Sequence, residues 1–265
     1  MAIVAIIQAR MTSTRLPGKV LKQVLGKPMI GYQLERTRRC HALDEIVVAT
    51  TTNATDDPIA DYVSGLGIAV YRGSEHDVLS RYFEAAEAHD ADIVVRMTAD
   101  CPIIDPEVTD MVIERFLEFI PPLDYATNGI PHTWPIGLDT EVMTFKALRT
   151  AHEQTHDPYD REHVSPFIYK QPDRFRLYSA LCPINLSGER WTLDTLEDLE
   201  FLTRVIETLY PEIPDFGYRD VLALLEQKPE WRSINADVGA KVRRWERQRF
   251  TGDLQPALGK RGDDT

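Results

Sequence analysis

The sequence predicts an α/β protein whose mainly parallel sheet carries helices on both faces. Apolar runs of strand length recur at residues 2–7, 46–50, 68–71 and 93–97, and stretches with helical spacing lie between them. Alternation of this kind is typical of βαβ units, which build parallel sheets covered on both sides. Ligands bind such sheets at the carboxyl ends of the strands, so the loops that leave these four runs are the first candidates for a site.

Three helices are expected between these strands. The first two open on Pro28 and Pro58 and run to about residues 39 and 66, because proline is well tolerated in the first turn of a helix. The third covers residues 76–89, whose apolar residues recur at the spacing of one helix face. With the four strands they give the order βαβαβαβ.

The second half of the chain has a less regular pattern. Proline, glycine and aromatic residues crowd 121–137, and we interpret 120–185 as a small inserted lobe for substrate binding or dimerisation. Strands are expected at 140–144 and 175–181, and helices at 159–169, 196–209 and 238–250. The whole of 1–250 then forms one domain, and 251–265 is expected to be a disordered tail because it has little apolar content.

Composition narrows the class of protein. With 43% apolar and 27% charged residues, and no apolar run of membrane-spanning length, the chain is expected to be cytoplasmic and not membrane-bound. Cys40, Cys101 and Cys182 are far apart, which predicts free thiols. The net charge of −12 argues against a nucleic-acid partner, yet residues 1–40 hold eight Lys/Arg and one Asp/Glu, a local charge of +7. Such a positive patch suits a small polyanion.

The segment QARMTSTRLPGK, residues 8–19, follows the first apolar run and indicates an anion site. Arg10 and Arg15 carry planar donor forks suited to phosphate oxygens, and Lys19 adds a third cation on what we take to be an exposed loop. Gly18 lets the backbone approach a ligand closely. The segment matches neither GxxxxGK[ST] nor GxGxxG. The alternative is a solvated turn that happens to carry arginines.

Two aspartates are candidates for a metal site at the same edge. Asp100 follows the strand at 93–97, and Asp194 precedes the helix expected from residue 196. Magnesium prefers carboxylate oxygens and is completed by water and substrate phosphates, so two carboxylates can suffice. For Asp194 the alternative is a helix N-cap, for which aspartate is a preferred residue. Asp105, directly before Pro106, is interpreted as the cap of the next helix.

Five segments in order resemble the cytidylyltransferase-type nucleotidyltransferases, and within them the spore coat polysaccharide biosynthesis protein F-like branch. They are QARMTSTRLPGKVL, VVATTTNATDD, YRGSEHDVLSRY, RMTADCPIID and RWTLDTLEDLEFL, across roughly residues 3–210. The resemblance extends to the acylneuraminate and keto-deoxy-octulosonate enzymes. It implies a glycosyltransferase-A-like nucleotidyltransferase fold, Mg²⁺ as cofactor, and an activated sugar made from a nucleoside triphosphate, with CTP favoured and pyrophosphate released. It also implies a homodimer.

The resemblance also implies roles for individual residues. Arg10, Arg15 and Lys19 are expected to be catalytic, and Asp100 with Asp194 to hold the metal. The nucleotide-binding set is Gln8, Ala9, Arg10, Arg15, Gly18, Lys19, Thr50, Asn53, Ser74, Asp77 and Arg81. The set expected to bind the sugar, sugar acid or phosphorylated acceptor is Asp139, Glu141, Arg161, Glu162 and His163. For His163 the alternative is a polar residue satisfied within a half-buried helix.

We therefore predict in-line attack of an acceptor oxygen on the α-phosphate, with catalysis by alignment and charge neutralisation. One alternative is a glycosyltransferase of the same fold, which consumes a nucleotide sugar. Its usual Asp-x-Asp metal motif is absent at Asp100-Cys101-Pro102. A second alternative is a nucleotide-binding protein without catalytic activity.

Overall fold

The structure, a computed structural model, describes residues 1–239. The predicted helix over 238–250 passes out of the described residues at position 240, and the predicted tail over 251–265 lies entirely outside them. The strands of the described part are β1 Ile3–Gln8, β2 Gln23–Val24, β3 Lys27–Pro28, β4 Glu45–Thr51, β5 Ala69–Gly73, β6 Ile93–Thr98, β7 Tyr125–Thr127, β8 Glu141–Thr144 and β9 Leu177–Ser179.

The α-helices alternate with these strands in the first half and gather after them in the second. They are α1 Met29–Thr37, α2 Asp57–Gly65, α3 Val78–Ala88, α4 Pro106–Glu118, α5 Phe145–Gln154, α6 Pro158–His163, α7 Pro166–Tyr169, α8 Leu196–Leu209 and α9 Tyr218–Gln227. No helix within residues 1–239 is both long and apolar enough to cross a membrane.

The central sheet has the strand order β5-β4-β1-β6-β8-β7-β9. Strand β1 pairs in parallel with both β4 and β6, and β4 pairs in parallel with β5, so the predicted mainly parallel sheet is confirmed. Gln8 lies beside Thr98 in the register of β1 and β6, which brings the carboxyl ends of these two strands to one edge. The loops after β1 and β6 therefore start side by side.

Helices cover both faces of the sheet, as expected. Residues of α1, α2 and α4 pack on one face in a core that includes Ile30, Ile59 and Val112. Residues of α3, α5 and α7 pack on the other, around Leu79 and Leu148. A third apolar cluster joins α8 and α9 to the β2–β3 hairpin. Both faces of the parallel strands are thus buried, which explains their nearly continuous apolar runs.

The segment 120–185 extends the main sheet. Strand β8 pairs antiparallel with β6, β7 pairs antiparallel with β8, and β9 adds to β7 in parallel. Helices α6 and α7 of this segment contact α3 and α5 beside the sheet. The strands expected at 140–144 and 175–181 are present in shortened form.

The single helix predicted over residues 159–169 is wrong, because the structure has two short helices there. Helix α6 ends at His163, and Val164 adopts a positive φ of 72° before α7 begins at Pro166. Pro166 has no N–H to donate to a preceding turn, so the helix is interrupted before it. The break leaves His163 at a helix end near the carboxyl edge of the sheet.

Candidate active site

A cavity of about 500 Å³ opens at the carboxyl edge of β1 and β6. Gln8 and Ala9 line it from the end of β1, and Thr98, Ala99 and Asp100 line it from the end of β6. This is the place where parallel α/β sheets bind ligands, and the volume is typical of a small-molecule site. The cavity is therefore the candidate active site.

The loop after β1 is held in shape by contacts at both of its ends. Met11 N donates to Asp56 Oδ1 at 2.8 Å, and Thr12 Oγ1 donates to Glu75 Oε1 at 2.7 Å. Gly18 closes the loop with an N–H bond to the Met11 carbonyl at 2.9 Å. Gly18 has a φ of 67°, in the left-handed region, and a Cβ there would lie 3.2 Å from Met11 Cε. In the structure, the lack of a side chain at Gly18 allows the loop to adopt this shape. The close approach of its backbone to a ligand stays a prediction.

Lys19 lies between the two predicted metal aspartates. Its Nζ is 2.8 Å from Asp100 Oδ2 and 2.9 Å from Asp194 Oδ1, and its side chain is only 11% exposed. The exposed position expected for Lys19 is therefore wrong. The sequence places these three residues far apart, and the fold brings them to one point in the cavity wall.

The backbone explains why Asp194 reaches Asp100. Leu193 N donates to the Asp100 carbonyl at 2.7 Å, and Thr192 Oγ1 donates to the same oxygen at 3.0 Å. Trp191, just before them, is fully buried in the cluster with α8 and α9. The segment before α8 is thus fixed against the loop after β6, and the two carboxylates share one wall of the cavity.

Asp194 is not the cap of α8. Thr195 is the N-cap: its hydroxyl accepts a hydrogen bond from Asp198 N, and the Asp198 carboxylate accepts one from Thr195 N, which completes a capping box. Asp194 instead contacts Arg15 Nη2 through Oδ1 at 2.8 Å and Arg190 Nη2 through Oδ2 at 3.0 Å. The capping alternative is excluded, and the carboxylate faces cations.

Arg190 is a buried, fixed counter-ion in this cluster. Its side chain is 3% exposed and makes two bonds of 2.9 Å to Asp198, which is fully buried. Arg15, in contrast, is 55% exposed. It lies on the loop after β1, residues 9–19, which we call the first loop. The cations around Asp194 therefore differ in exposure: Arg190 is enclosed in the protein, and Arg15 lies at the surface.

Electrostatics keep Lys19 and Asp100 charged. Burial on its own lowers the pKa of Lys19, but the carboxylates of Asp100 and Asp194 outweigh it and raise that pKa above its ordinary value. Burial on its own raises the pKa of Asp100, but Lys19 and the Thr98 hydroxyl hold it below its usual range. An ammonium at Lys19 and a carboxylate at Asp100 are the stable forms at neutral pH.

Most residues of the predicted nucleotide set line the cavity. The ones that do are Gln8, Ala9, Arg10, Arg15, Lys19 and Arg81, together with the predicted metal aspartates Asp100 and Asp194. Arg81 is almost fully buried, and its Nη1 donates to the Ser74 carbonyl. The cavity is thus cationic on the side of the first loop and on α3.

The other residues predicted to bind nucleotide have contacts behind the cavity wall. Thr50 is buried and bonds Asp56, and Asn53 Nδ2 donates to Glu75. The Ser74 hydroxyl accepts from Asp77 N, and Asp77 caps α3. In the structure these side chains support the loops that form the wall.

Among the predicted acceptor residues, Glu162 and His163 line the cavity. Arg161 is turned away from it and joins α6 to α3, with Nε 2.7 Å from Asp77 Oδ2 and Nη2 2.8 Å from Ser80 Oγ. Asp139 accepts from Gly137 N at 2.9 Å. The structure thus brings two of these five residues to the site.

The fifth predicted acceptor residue, Glu141, contacts a residue that sequence reasoning missed. Arg96 lines the cavity from β6 and forms an ion pair with Glu141 across the β6–β8 pairing. Burial on its own lowers the pKa of Arg96, but Glu141 outweighs it and raises that pKa. A charged residue inside the apolar run IVVRMT was the available signal. Glu75 was missed also, although it lies in the GSEHDVLSR segment.

The donor set fits a divalent cation that is completed by a ligand. Within residues 1–239 there is no group of three or more His, Cys, Asp or Glu side chains that could hold a metal. One oxygen of Asp100 and one of Asp194 nevertheless converge on a single cationic atom, Lys19 Nζ. Two carboxylates with waters and phosphate oxygens are a usual magnesium environment.

Comparison with known proteins identifies the family. The model of the cytidylyltransferase family matches residues 4–224. The chain belongs to the cytidylyltransferase family. It is 32% identical over 238 residues to the spore coat polysaccharide biosynthesis protein SpsF of Bacillus subtilis, with 86% of this chain and 95% of that protein covered.

Two further relatives support this membership. A 3-deoxy-manno-octulosonate cytidylyltransferase of Geotalea uraniireducens is 30% identical over 224 residues, with 83% of this chain and 76% of that protein covered. The solved structure of a cytidylyltransferase from Leptospira borgpetersenii superposes with a TM-score of 0.83 at 32% identity, and covers 87% of this chain and 96% of that one. The expected nucleotidyltransferase fold is confirmed.

Membership makes this cytidylyltransferase an enzyme that transfers a nucleotidyl group. It favours that chemistry over the glycosyltransferase and over the non-catalytic binding protein. The resemblance seen in five short segments extends over most of the chain, including the strands that carry the cavity residues.

Proposed function

We propose that this protein transfers the cytidylyl group of CTP to a sugar acid, with Mg²⁺ as cofactor and release of pyrophosphate. The observation that carries the proposal is the meeting of Arg15 and Lys19 with Asp100 and Asp194 in the wall of one cavity. Cations that can bind phosphate oxygens and carboxylates that can bind a metal are both needed for nucleotidyl transfer, and here they are in contact.

The first loop is assigned to the triphosphate. Arg10, Arg15 and Lys19 bind the phosphate oxygens and orient the α-phosphate for in-line attack. They then stabilise the charge that develops on the departing pyrophosphate. This is effective because the cations are already in position before the reaction starts. Asp100 and Asp194 would hold the metal, which when bound neutralises phosphate charge and lowers the pKa of an acceptor hydroxyl.

Glu162 and His163 are assigned to the acceptor. They line the cavity from the end of α6, whereas the triphosphate cations lie on the first loop. The Geotalea relative is named for a sugar acid and SpsF for polysaccharide biosynthesis, which supports a sugar-acid acceptor destined for surface polysaccharide or glycoconjugate. A cytoplasmic location and a homodimer are parts of the same proposal.

A thermal-shift screen tests the nucleotide assignment. CTP, GTP, UTP and ATP are each added with MgCl₂, and only CTP is expected to raise the melting temperature strongly. A ligand that binds only the native state at one hundred times its Kd stabilises by about 2.7 kcal/mol. The variant Arg15→Met should lose most of the CTP shift, while Lys22→Met, outside the cavity lining, should keep it. Equal increases in melting temperature with all four triphosphates would contradict the assignment of CTP as the substrate.

A further inference from the structure

Lys19 and a metal ion compete for the same two oxygens. The Nζ atom lies 2.8 Å from Asp100 Oδ2 and 2.9 Å from Asp194 Oδ1, so these are the oxygens that face a common point. Magnesium binds carboxylate oxygen at about 2.1 Å, closer than any ammonium contact. Both cations cannot occupy the space between the carboxylates. Before a metal binds there, the Lys19 side chain must leave.

The charges within this cluster balance one another. Asp100, Asp194 and the buried Asp198 are matched by Lys19, Arg15 and Arg190, each within ion-pair distance of at least one of these carboxylates. A dication approaching this cluster therefore finds no uncompensated negative charge. A triphosphate would supply that charge, and it would also offer new partners to the lysine and the arginine.

Two of the three cations are free to make this exchange. Arg15 is 55% exposed, and Lys19 lines the open cavity at the end of a flexible four-carbon side chain. Arg190 is 3% exposed and is fixed by two bonds to Asp198, so it stays with Asp194. The structure thus separates exchangeable counter-ions from a permanent one.

We infer that Lys19 is an internal counter-ion that keeps the two-aspartate site closed to metal until a nucleoside triphosphate draws it away. The inference rests on the proposed function. The phosphates take Lys19 and Arg15, the carboxylates are released, and the metal enters with the nucleotide. Metal and nucleotide binding are then positively coupled, and such coupling is reciprocal and commonly fivefold or more.

Direct metal binding tests the inference without any nucleotide or acceptor. Mn²⁺ is titrated into the full-length protein and free Mn²⁺ is followed by electron paramagnetic resonance. Lys19→Met, which keeps the apolar stem but removes the charge, is expected to bind Mn²⁺ at least about fivefold more tightly than the wild type. Lys22→Met is the matched control and should bind as the wild type does. Lys19→Met combined with Asp194→Asn should lose the gain.

Equal or weaker Mn²⁺ binding by Lys19→Met would overturn the inference. If that variant does not fold, the melting temperature of the wild type decides. Mn²⁺ alone should leave it nearly unchanged, and Mn²⁺ with CTP should raise it by more than the two separate shifts combined. A shift with Mn²⁺ alone as large as the shift with both would again overturn the inference.

The outcomes separate this inference from the proposed function. Tighter Mn²⁺ binding by Lys19→Met together with no response to CTP would refute the function and leave the competition intact. Pyrophosphate release from CTP, together with equal Mn²⁺ binding by the wild type and Lys19→Met, would support the proposed function and refute the competition between Lys19 and the metal.

Discussion

Arg96, which lines the cavity from β6, forms an ion pair with Glu141 on the neighbouring antiparallel strand β8. Their side chains are 13% and 18% exposed. Glu141 also accepts a hydrogen bond from the Tyr125 hydroxyl at 3.1 Å. Removing one partner from a buried pair is costly, because the remaining charge has lost both water and its counter-ion. The pair therefore fixes the part of β6 that leads to Thr98 and, after the strand ends, to Asp100.

The substitution Glu141→Gln is expected to lower the free energy of unfolding by about 3 kcal/mol, since it leaves the Arg96 guanidinium without a counter-ion. Urea unfolding followed by circular dichroism measures the change. The matched control is Glu118→Gln, which breaks an Arg115–Glu118 pair whose side chains are 38% and 58% exposed. That control should change stability by less than about 0.5 kcal/mol. Equal losses in the two variants would contradict the account of Arg96.

The types of functional side chain at the site were predictable from the sequence, but the burial of individual side chains was not. Asp194 was singled out before a predicted helix and by the family resemblance, whereas the cation cluster and Asp100 follow from residue types placed after strands. The burial of Lys19 does not, because one of the carboxylates that covers it comes 175 positions later in the chain. Arg36 is a similar case: it is 3% exposed and donates to the Ile104 and Phe216 carbonyls, so part of the +7 charge of residues 1–40 serves packing.

At the scale of one element, the start of α8 joins stability to function through neighbouring residues. Thr195 and Asp198 form the capping box, while Asp194 is left to face Lys19 and Arg15. Asp198 contributes both to the helix cap and to the cluster around Asp194, since it also forms an ion pair with Arg190. The sequence TLDTLED did not reveal which of its residues is the cap, because aspartate and threonine are both good N-caps.

Adjacent substitutions at this helix start should separate the two roles. Thr195→Ala is expected to cost about 1 kcal/mol of stability through loss of the cap, with turnover nearly unchanged. Asp194→Asn should lower turnover at least about tenfold, because an amide cannot replace the carboxylate that we propose holds the metal. Melting temperatures and rates of pyrophosphate release are measured for both. Full activity of Asp194→Asn at low magnesium concentration would contradict the proposal that Asp194 holds the metal.

At the scale of the whole molecule, the arrangement of the parallel half of the fold was predictable, whereas the pairing of the short strands in the second half was not. Strands β1, β4, β5 and β6 are buried on both faces and separated by helices, so local periodicity is enough to predict their arrangement. Strands β7, β8 and β9 are three or four residues long, and β7 pairs with β9 across a separation of fifty-two residues. Short strands with distant partners leave little periodic signal, so strands were predicted at 140–144 and 175–181 but their pairing into the main sheet was not.

The whole fold also accounts for the position of the site. The carboxyl edge of β1 and β6 carries the first loop and Asp100, and the segment before α8 returns to that edge to add Asp194. A protein of net charge −12 thus keeps a small cationic patch inside a cavity. Local potential of this kind favours a polyanionic substrate despite the overall charge.

Pyrophosphate release tests the central claim, cytidylyl transfer at the cluster of Lys19, Asp100 and Asp194, most directly. The protein is supplied with MgCl₂, each of CTP, GTP, UTP and ATP in turn, and a panel of sugar acids that includes 3-deoxy-manno-octulosonate. We predict acceptor-dependent pyrophosphate release with CTP well above the other three triphosphates, and a loss of at least about a hundredfold in Lys19→Met, as for removal of a preorganised charge-stabilising donor. Preference for another base, or an unchanged rate in Lys19→Met, would contradict the account.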